Sequence, residues 1–294
     1  MKIVFSGFLA FLLLCGSPGL GRAGAERIDT SWTPLMKAAF SGDIKALAAL
    51  LAQKPGLEKK NRDGDTALVL ASEAGYVPCV TALVEAGADI NVKSGRIGLT
   101  PLMLLADKGL TNPVEDLCRK GARVDAKTVH GQTALYLASF RGHAETAAVL
   151  LRYKADPNAR DKVGQTPLLL SIQAGHHHVA KMLLGYGAKP NIPGGPEQQD
   201  ALMAATITGN PELVRLLLKK GASVRTRDFD GMTALMYAAE SGHAEIARIL
   251  LENGADYDEK DNEGMSALGW AAQSGYTDIV NLMLSGRYNR PGKK

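Results

Sequence analysis

The residues best suited to chemistry are three adjacent histidines, His176-His177-His178, two cysteines well inside the chain, Cys79 and Cys118, and many aspartates and glutamates. Three histidines could hold a transition metal. On a helix, however, neighbouring residues point ~100° apart, and metal-ligand pairs stand four residues apart. These three therefore do not converge on one ion, and no metal is expected. His130 has no carboxylate or cysteine partner identifiable from its spacing. Carboxylates can work in pairs as acid and base, but here they recur: Asp89, Asp156 and Asp256 each follow Gly-Ala or its equivalent. A catalytic pair would belong to one place only. Gly-x-Ser-x-Gly, a Gly-rich phosphate loop and His-Glu-x-x-His are all missing from the sequence. No catalytic residue and no cofactor is expected.

The recurrence points to the elements beneath it. Aligning Thr-Pro-Leu and Thr-Ala-Leu places unit starts at Thr33, Thr66, Thr100, Thr133, Thr166, Asp200, Thr233 and Ser266, every interval being 33 or 34 residues. Within one unit, Thr133 can cap a first helix through its hydroxyl. Pro34, Pro101 and Pro167 suit the first helical position, where a missing N–H costs nothing. Leu135 and Ala138 face inward and Gly142 ends the helix. A second helix after His143 brings Ala147, Leu150 and Leu151 to the core. The chain then turns at Ala155-Asp156, after Lys154, where sister units carry Gly87, Gly121, Gly187, Gly221 and Gly254. Such glycines suit a left-handed helix end. Residues 161–164 form a hairpin tip before Thr166 restarts the pattern. No unit can bury both its apolar faces alone, so the units must stack. The end units should be less apolar, as Asp43 and Lys45 in the first suggest.

A 33-residue period with this opening resembles the ankyrin-repeat family. The resemblance spans Thr33 to about Gly286 and implies an all-α solenoid of about eight helix-turn-helix units with short β-hairpin tips. The family often has histidine fourth in the opening tetrapeptide. This chain has Met36, Val69, Met103, Tyr136, Leu169, Met203, Met236 and Gly269 there, which should weaken one hydrogen-bond ladder while keeping apolar packing. Two hairpins carry an extra residue, 93–99 and 192–199, either as tolerated insertions or as a binding loop or hinge. The register puts Cys79 and Cys118 at core positions five places apart in their units. Buried thiols are expected there, and a disulfide is not.

The resemblance also implies a protein partner, met by the hairpin tips and the exposed end of each first helix on the concave side. The candidates are Phe40, Asp107, Lys108, Phe140, Arg141 and Ile207 on first helices, with His130, Val163, Phe229, Met232, Asn262 and Met265 on tips. Aromatic anchors beside an arginine are typical of interface hot spots. If the apolar ones form a patch, it runs across units four to seven.

Residues 1–25 read as a signal peptide. Lys2 is followed by an apolar stretch from Ile3 to Cys15, and Ala23-Gly24-Ala25 fits cleavage before Glu26. A lipoprotein anchored through Cys15 is the alternative, although Leu14 is an unusual neighbour for a lipidated cysteine. The apolar run is shorter than the ~20 residues of a membrane span. Residues 26–32 read as a lead-in, 33–286 as the repeat domain and 287–294 as a basic tail. The 294 residues carry 34 Lys and Arg against 30 Asp and Glu, +4 overall, and +2 without Lys2 and Arg22. That balance offers no concentrated basic face for nucleic acid. The reading is therefore an exported, monomeric, non-enzymatic binding protein of a bacterial envelope, most simply periplasmic. The alternatives are an inhibitor or immunity-type protein that neutralises a toxin or hydrolase, and an extracellular, host-directed protein.

Overall fold

The structure, a computed structural model, describes residues 30–95 and 97–285. The expected signal segment with Cys15, part of the lead-in and the basic tail lie outside these residues.

Sixteen helices occur among the described residues, and they come in eight pairs. The first four are α1 (Pro34–Ser41), α2 (Ile44–Leu51), α3 (Ala67–Ala74) and α4 (Val77–Glu85). They are followed by α5 (Pro101–Asp107), α6 (Thr111–Arg119), α7 (Ala134–Arg141) and α8 (Ala144–Arg152). Then come α9 (Pro167–Gln173), α10 (His177–Gly185), α11 (Ala201–Ile207) and α12 (Pro211–Lys219). The last are α13 (Ala234–Ser241), α14 (Ala244–Glu252), α15 (Ala267–Gln273) and α16 (Thr277–Leu284). The chain falls into two compact parts, residues 1–101 and 102–294. In the first, α1 packs on α3 and α2 on α4. In the second, the first helices stack in the order α7, α9, α11, α13, α15, and the second helices in the order α6, α8, α10, α12, α14, α16.

Helices of seven to nine residues are too short to persist alone in water, so tertiary burial must hold them. The leucine of each opening tetrapeptide supplies much of it: Leu68, Leu102, Leu135, Leu168, Leu202 and Leu235 are all buried. Each contributes on the order of 1.5–3 kcal/mol. The last unit is looser: its equivalent, Leu268, is only half-buried, and Leu284 is exposed. In the first unit, Leu47 is the one buried residue of α2. Both end units thus bury fewer apolar side chains than the inner ones, and Ile44 and Leu284 remain exposed.

Helix starts follow the expected chemistry. The side chains of Thr33, Thr66, Thr133, Thr166, Asp200, Thr233 and Ser266 each accept a hydrogen bond from the backbone N–H three residues on. The methionines in place of the family's histidine also contribute. The N–H of Thr33 donates to Met36 Sδ at 3.4 Å, and that of Thr233 to Met236 Sδ at 3.3 Å. A buried thioether thus closes the reciprocal half of a capping box, a role normally filled by Glu or Gln. Lys154, standing where sister units have glycine, adopts φ +69°, which confirms that the position requires a left-handed backbone.

The tips are shorter than β-hairpins. Each closes with one backbone bond across a tight turn, as from Asp161 N–H to Gln165 O. Two arms of about one residue cannot extend a ladder, so the described residues hold isolated bridges only, Gly194 with Gln199 and Lys260 with Ser266.

Candidate protein-interaction face

Each tip in the second part is held by one polar side chain that folds back on its own backbone. Asp161 Oδ1 accepts from the N–H groups of Val163 and Gln165, at 3.0 and 2.8 Å. Asp228 Oδ1 does the same for Asp230 and Met232, and Asp261 Oδ1 for Glu263 and Met265. Thr128 Oγ1 serves His130 and Gln132. The second carboxylate oxygen is tied to an aromatic donor. Tyr136 Oη–H donates to Asp161 Oδ2 at 3.0 Å, Tyr237 Oη–H to Asp228 Oδ2 at 2.5 Å, and Trp270 Nε1–H to Asp261 Oδ2 at 2.8 Å. These aspartates are structural anchors, with both carboxylate oxygens engaged in closing the tip. Burial pushes the Asp228 carboxyl and the Tyr237 hydroxyl up from their ordinary pKa values.

With the anchor facing in, the two apex residues of each tip face out. The apices are Val129-His130, Lys162-Val163, Phe229-Asp230 and Asn262-Glu263, all exposed. Phe229 is the most open of the three apolar apex residues, at 72%. Backbone bonds stitch neighbouring tips into a row. Lys162 N–H donates to His130 O at 2.9 Å, and Gly195 N–H to Val163 O at 3.0 Å. Phe229 N–H donates to Glu197 O at 2.8 Å, and Asn262 N–H to Asp230 O at 3.0 Å. Asn262 Nδ2–H adds a bond to Phe229 O at 3.0 Å. The 192–199 loop, despite its extra residue, takes its place in this row through Gly195 and Glu197.

The expected site residues separate accordingly. His130, Val163, Phe229 and Asn262 stand exposed on the tips. Met232 does not: it is 7% exposed, its N–H bound to Asp228, and it belongs to the core. Met265 at the same register is half-buried, its sulfur against the Gly269 backbone. The last residue of each tip points back to its helix, which removes both methionines from the face. Phe40 is half-buried, edge to face with Trp32 at 5.2 Å, and so is a packing residue of the first part. Ile207 and Lys108 are half-buried at first-helix ends. Asp107, Phe140 and Arg141 form one cluster. Arg141 Nε–H donates to Asp107 Oδ1 at 2.9 Å, and the guanidinium lies 5.6 Å from the Phe140 ring centroid. Val129, 49% exposed, is an apex residue that the tip register could have identified, because it matches Phe229 one hundred residues on.

Of the histidine run, His176 packs against Gly142, while His178 is exposed. His143 and His176 precede their helices, and His143 Nε2 lies 3.0 Å from Asp107 O. A carbonyl can only accept, so Nε2 carries the proton. Burial holds the His176 pKa below the ordinary value, partly offset by its hydrogen bond to the Phe140 backbone. Among the described residues no group of three metal-ligating side chains comes together. Cys79 and Cys118 are free and buried.

Comparison with known proteins completes the picture. The family described as ankyrin repeats (3 copies) matches residues 1–94, 95–161, 153–228, 192–261 and 223–291. Among similar curated proteins, the one named Probable E3 ubiquitin-protein ligase XBOS31, from Oryza sativa subsp. japonica, is 39% identical over 120 residues, 40% of this chain and 27% of that protein. The B-cell lymphoma 3 protein homolog of Mus musculus is 32% identical over 127 residues, 43% of this chain and 26% of that one. The NF-kappa-B inhibitor cactus of Drosophila yakuba is 37% identical over 99 residues, 32% and 20% respectively. The chain thus spans about a quarter of the length of these relatives.

Proposed function

This chain belongs to the ankyrin-repeat family, and from that membership we propose that it is a protein-interaction module gripping a protein partner through its row of tips and the adjoining first-helix ends. The observation that carries this reading is the stitched row of apices bearing Val129, Val163 and Phe229 in the open. Exposed large apolar side chains are ordinary when scattered. These three recur at tip apices, where nothing in the fold requires them, while the anchors of the same tips, Thr128, Asp161 and Asp228, are buried or half-buried.

The proposal includes binding without catalysis. The aspartates with shifted pKa values are engaged in capping and tip closure, and His143 and His176 in packing. It also includes action in a bacterial envelope, most simply the periplasm, supported by the composition of residues 2–25. The second reading, an inhibitor that neutralises its partner, is favoured by the likeness to a protein named NF-kappa-B inhibitor.

Affinity capture with the tagged full chain from native envelope fractions tests the proposal, with Val163→Asp plus Phe229→Asp as the control bait. A partner lost with the control supports the tip row, and an identical captured set rejects it. N-terminal sequencing of the envelope-borne protein should begin at Glu26. An intact Met1 in a cytosolic fraction would refute the export part. Loss of the partner's enzymatic activity on one-to-one mixing separates inhibition from simple docking.

A further inference from the structure

The apex charges along the tip row change sign from one end to the other. At the end nearer the N-terminus, Lys162 is exposed on its apex, with the half-buried Lys108 and the exposed Arg141 at the neighbouring first-helix ends. The acid there, Asp107, is held by Arg141 at 2.9 Å. Exposed Lys127 and Arg160 add positive charge at the tip stems, where they also donate to carbonyls of the next tip. Further along, the sign reverses. Glu197, Asp230 and Glu263 are exposed on three consecutive tips. The stem cation Arg227 is matched by Glu259 at 3.5 Å, leaving Lys260 as the exception to the acidic trend. Val163 and Phe229, 48% and 72% exposed, flank the tip that carries Glu197.

The row therefore has a direction. The backbone bonds from His130 to Lys162, Val163 to Gly195, Glu197 to Phe229 and Asp230 to Asn262 fix the order of these side chains. A partner laid along it meets Lys162 and Val163 first, then Glu197, then Phe229 with Asp230, and last Glu263. Resting on the docking reading above, we infer that the occupant is an extended polypeptide segment with an acidic block at one end, an apolar centre and a basic block at the other. The acidic block sits over Lys162 with Lys127 and Arg160 at the stems beside it, the apolar centre against Val163 and Phe229, and the basic block over Asp230 and Glu263.

The spacing sets the length. Packed helices stand about 8–10 Å apart, so two steps from Lys162 to Asp230 span roughly 20 Å. An extended chain advances about 3.3 Å per residue, which gives a spacer of about six residues between the charged blocks. Complementary charge of this kind mainly fixes register and excludes wrong partners. A uniformly acidic or uniformly basic segment meets like charge on one half of the row.

The experiment is selection of displayed random 16-residue peptides on the immobilised full chain, followed by affinity measurement on synthetic copies of the winners. The variants are Phe229→Asp and the charge-exchanged pair Lys162→Glu with Asp230→Lys. All three positions are exposed, and circular dichroism checks that the fold is retained. The expected winners carry oppositely charged blocks about six residues apart around an aromatic or aliphatic centre. Their affinity falls at least about tenfold on the charge-exchanged variant, and selection on that variant enriches the reversed charge order. Winners that need Phe229 but show no charge order, or bind the exchanged variant equally well, overturn this inference while leaving the docking reading intact. An absence of any winner sensitive to Phe229→Asp overturns both.

Discussion

The ring of His143 fills the space that a side chain on Gly109 would need: a Cβ built on Gly109 would lie 2.6 Å from His143 Nδ1. The same relationship joins Gly142 to His176 at 2.6 Å and Gly209 to His243 at 3.0 Å. Tyr76 and Tyr276 take the histidine's place against Gly42 and Gly242. In these five cases the aromatic residue before a second helix seats itself under the left-handed glycine of the preceding unit, whereas a Cβ on Gly175 would meet nothing within 4 Å.

Gly109→Ala should accordingly cost more than the left-handed backbone alone. That conformation penalises a non-glycine residue by about 1–2 kcal/mol. Gly221 has φ +87° with nothing within 4 Å of a built Cβ, so Gly221→Ala isolates the backbone term. Urea unfolding should find Gly109→Ala the more damaging by at least about 1 kcal/mol. Equal losses would mean that the His143 contact yields freely.

Asp200 should weaken the protein at neutral pH. It caps α11, accepting from Met203 N–H at 2.9 Å, but it is completely buried and its Oδ2 has no hydrogen-bond partner. Burial raises its pKa, only partly offset by the Met203 N–H and the nearby Thr226 hydroxyl, while the charge of Asp228 raises it further. Folding therefore favours the protonated form. The stabilising contribution is full below the ordinary carboxylate pKa and is lost as pH rises through the folded value. Asp200→Thr restores the sister-unit cap and should add about 1 kcal/mol at pH 7, an advantage that shrinks on acidification. Asp200→Ala forfeits the cap and should fall about 1 kcal/mol below Asp200→Thr. Thermal melts from pH 4 to pH 8 check both statements.

Tyr237→Phe should destabilise a tip rather than a helix. It strips Asp228 Oδ2 of its donor in a site only 8% exposed, an expected loss of about 1–3 kcal/mol. Hydrogen exchange should quicken first at the Asp230 and Met232 amides, which depend on the same carboxylate.

The two internal thiols should be unreactive until the protein unfolds. Both are buried, and burial with the nearby Glu115 carboxylate pushes Cys118 up to about 11. Burial, with a smaller contribution from Asp43, also raises Cys79. A thiol-specific reagent at pH 8 should modify them at the rate of global opening, and rapid labelling of the native protein would contradict this.

The fold was legible because each unit repeats the same solution. Thr133, Leu135 and Gly142 mean cap, core and stop, and sister units repeat the pattern. The face was only partly legible. Apex residues such as Val163 and Phe229 could be placed from register, but Met232 and Met265 could not, since one step along a tight tip reverses the side chain from solvent to core. Phe40 failed for another reason: its partner Trp32 lies before the first repeat, where the register says nothing. The use of His143 and His176 under glycines, and of Met36 and Met236 sulfur as acceptors, was hidden because each depends on close approach of elements rather than on residue spacing. The charge order along the tips was written in the sequence but became readable only once the backbone bonds had put the tips in line.

The most direct test of the central claim is the affinity of a partner captured from the envelope, measured by calorimetry for the wild type and for Val163→Asp plus Phe229→Asp. Both substitutions lie on exposed apices, and each should leave stability within about 0.5 kcal/mol. The account predicts at least about a hundredfold weaker binding with an unchanged melting temperature, as expected when two apolar anchors are lost. Undiminished affinity in a correctly folded double variant would contradict it.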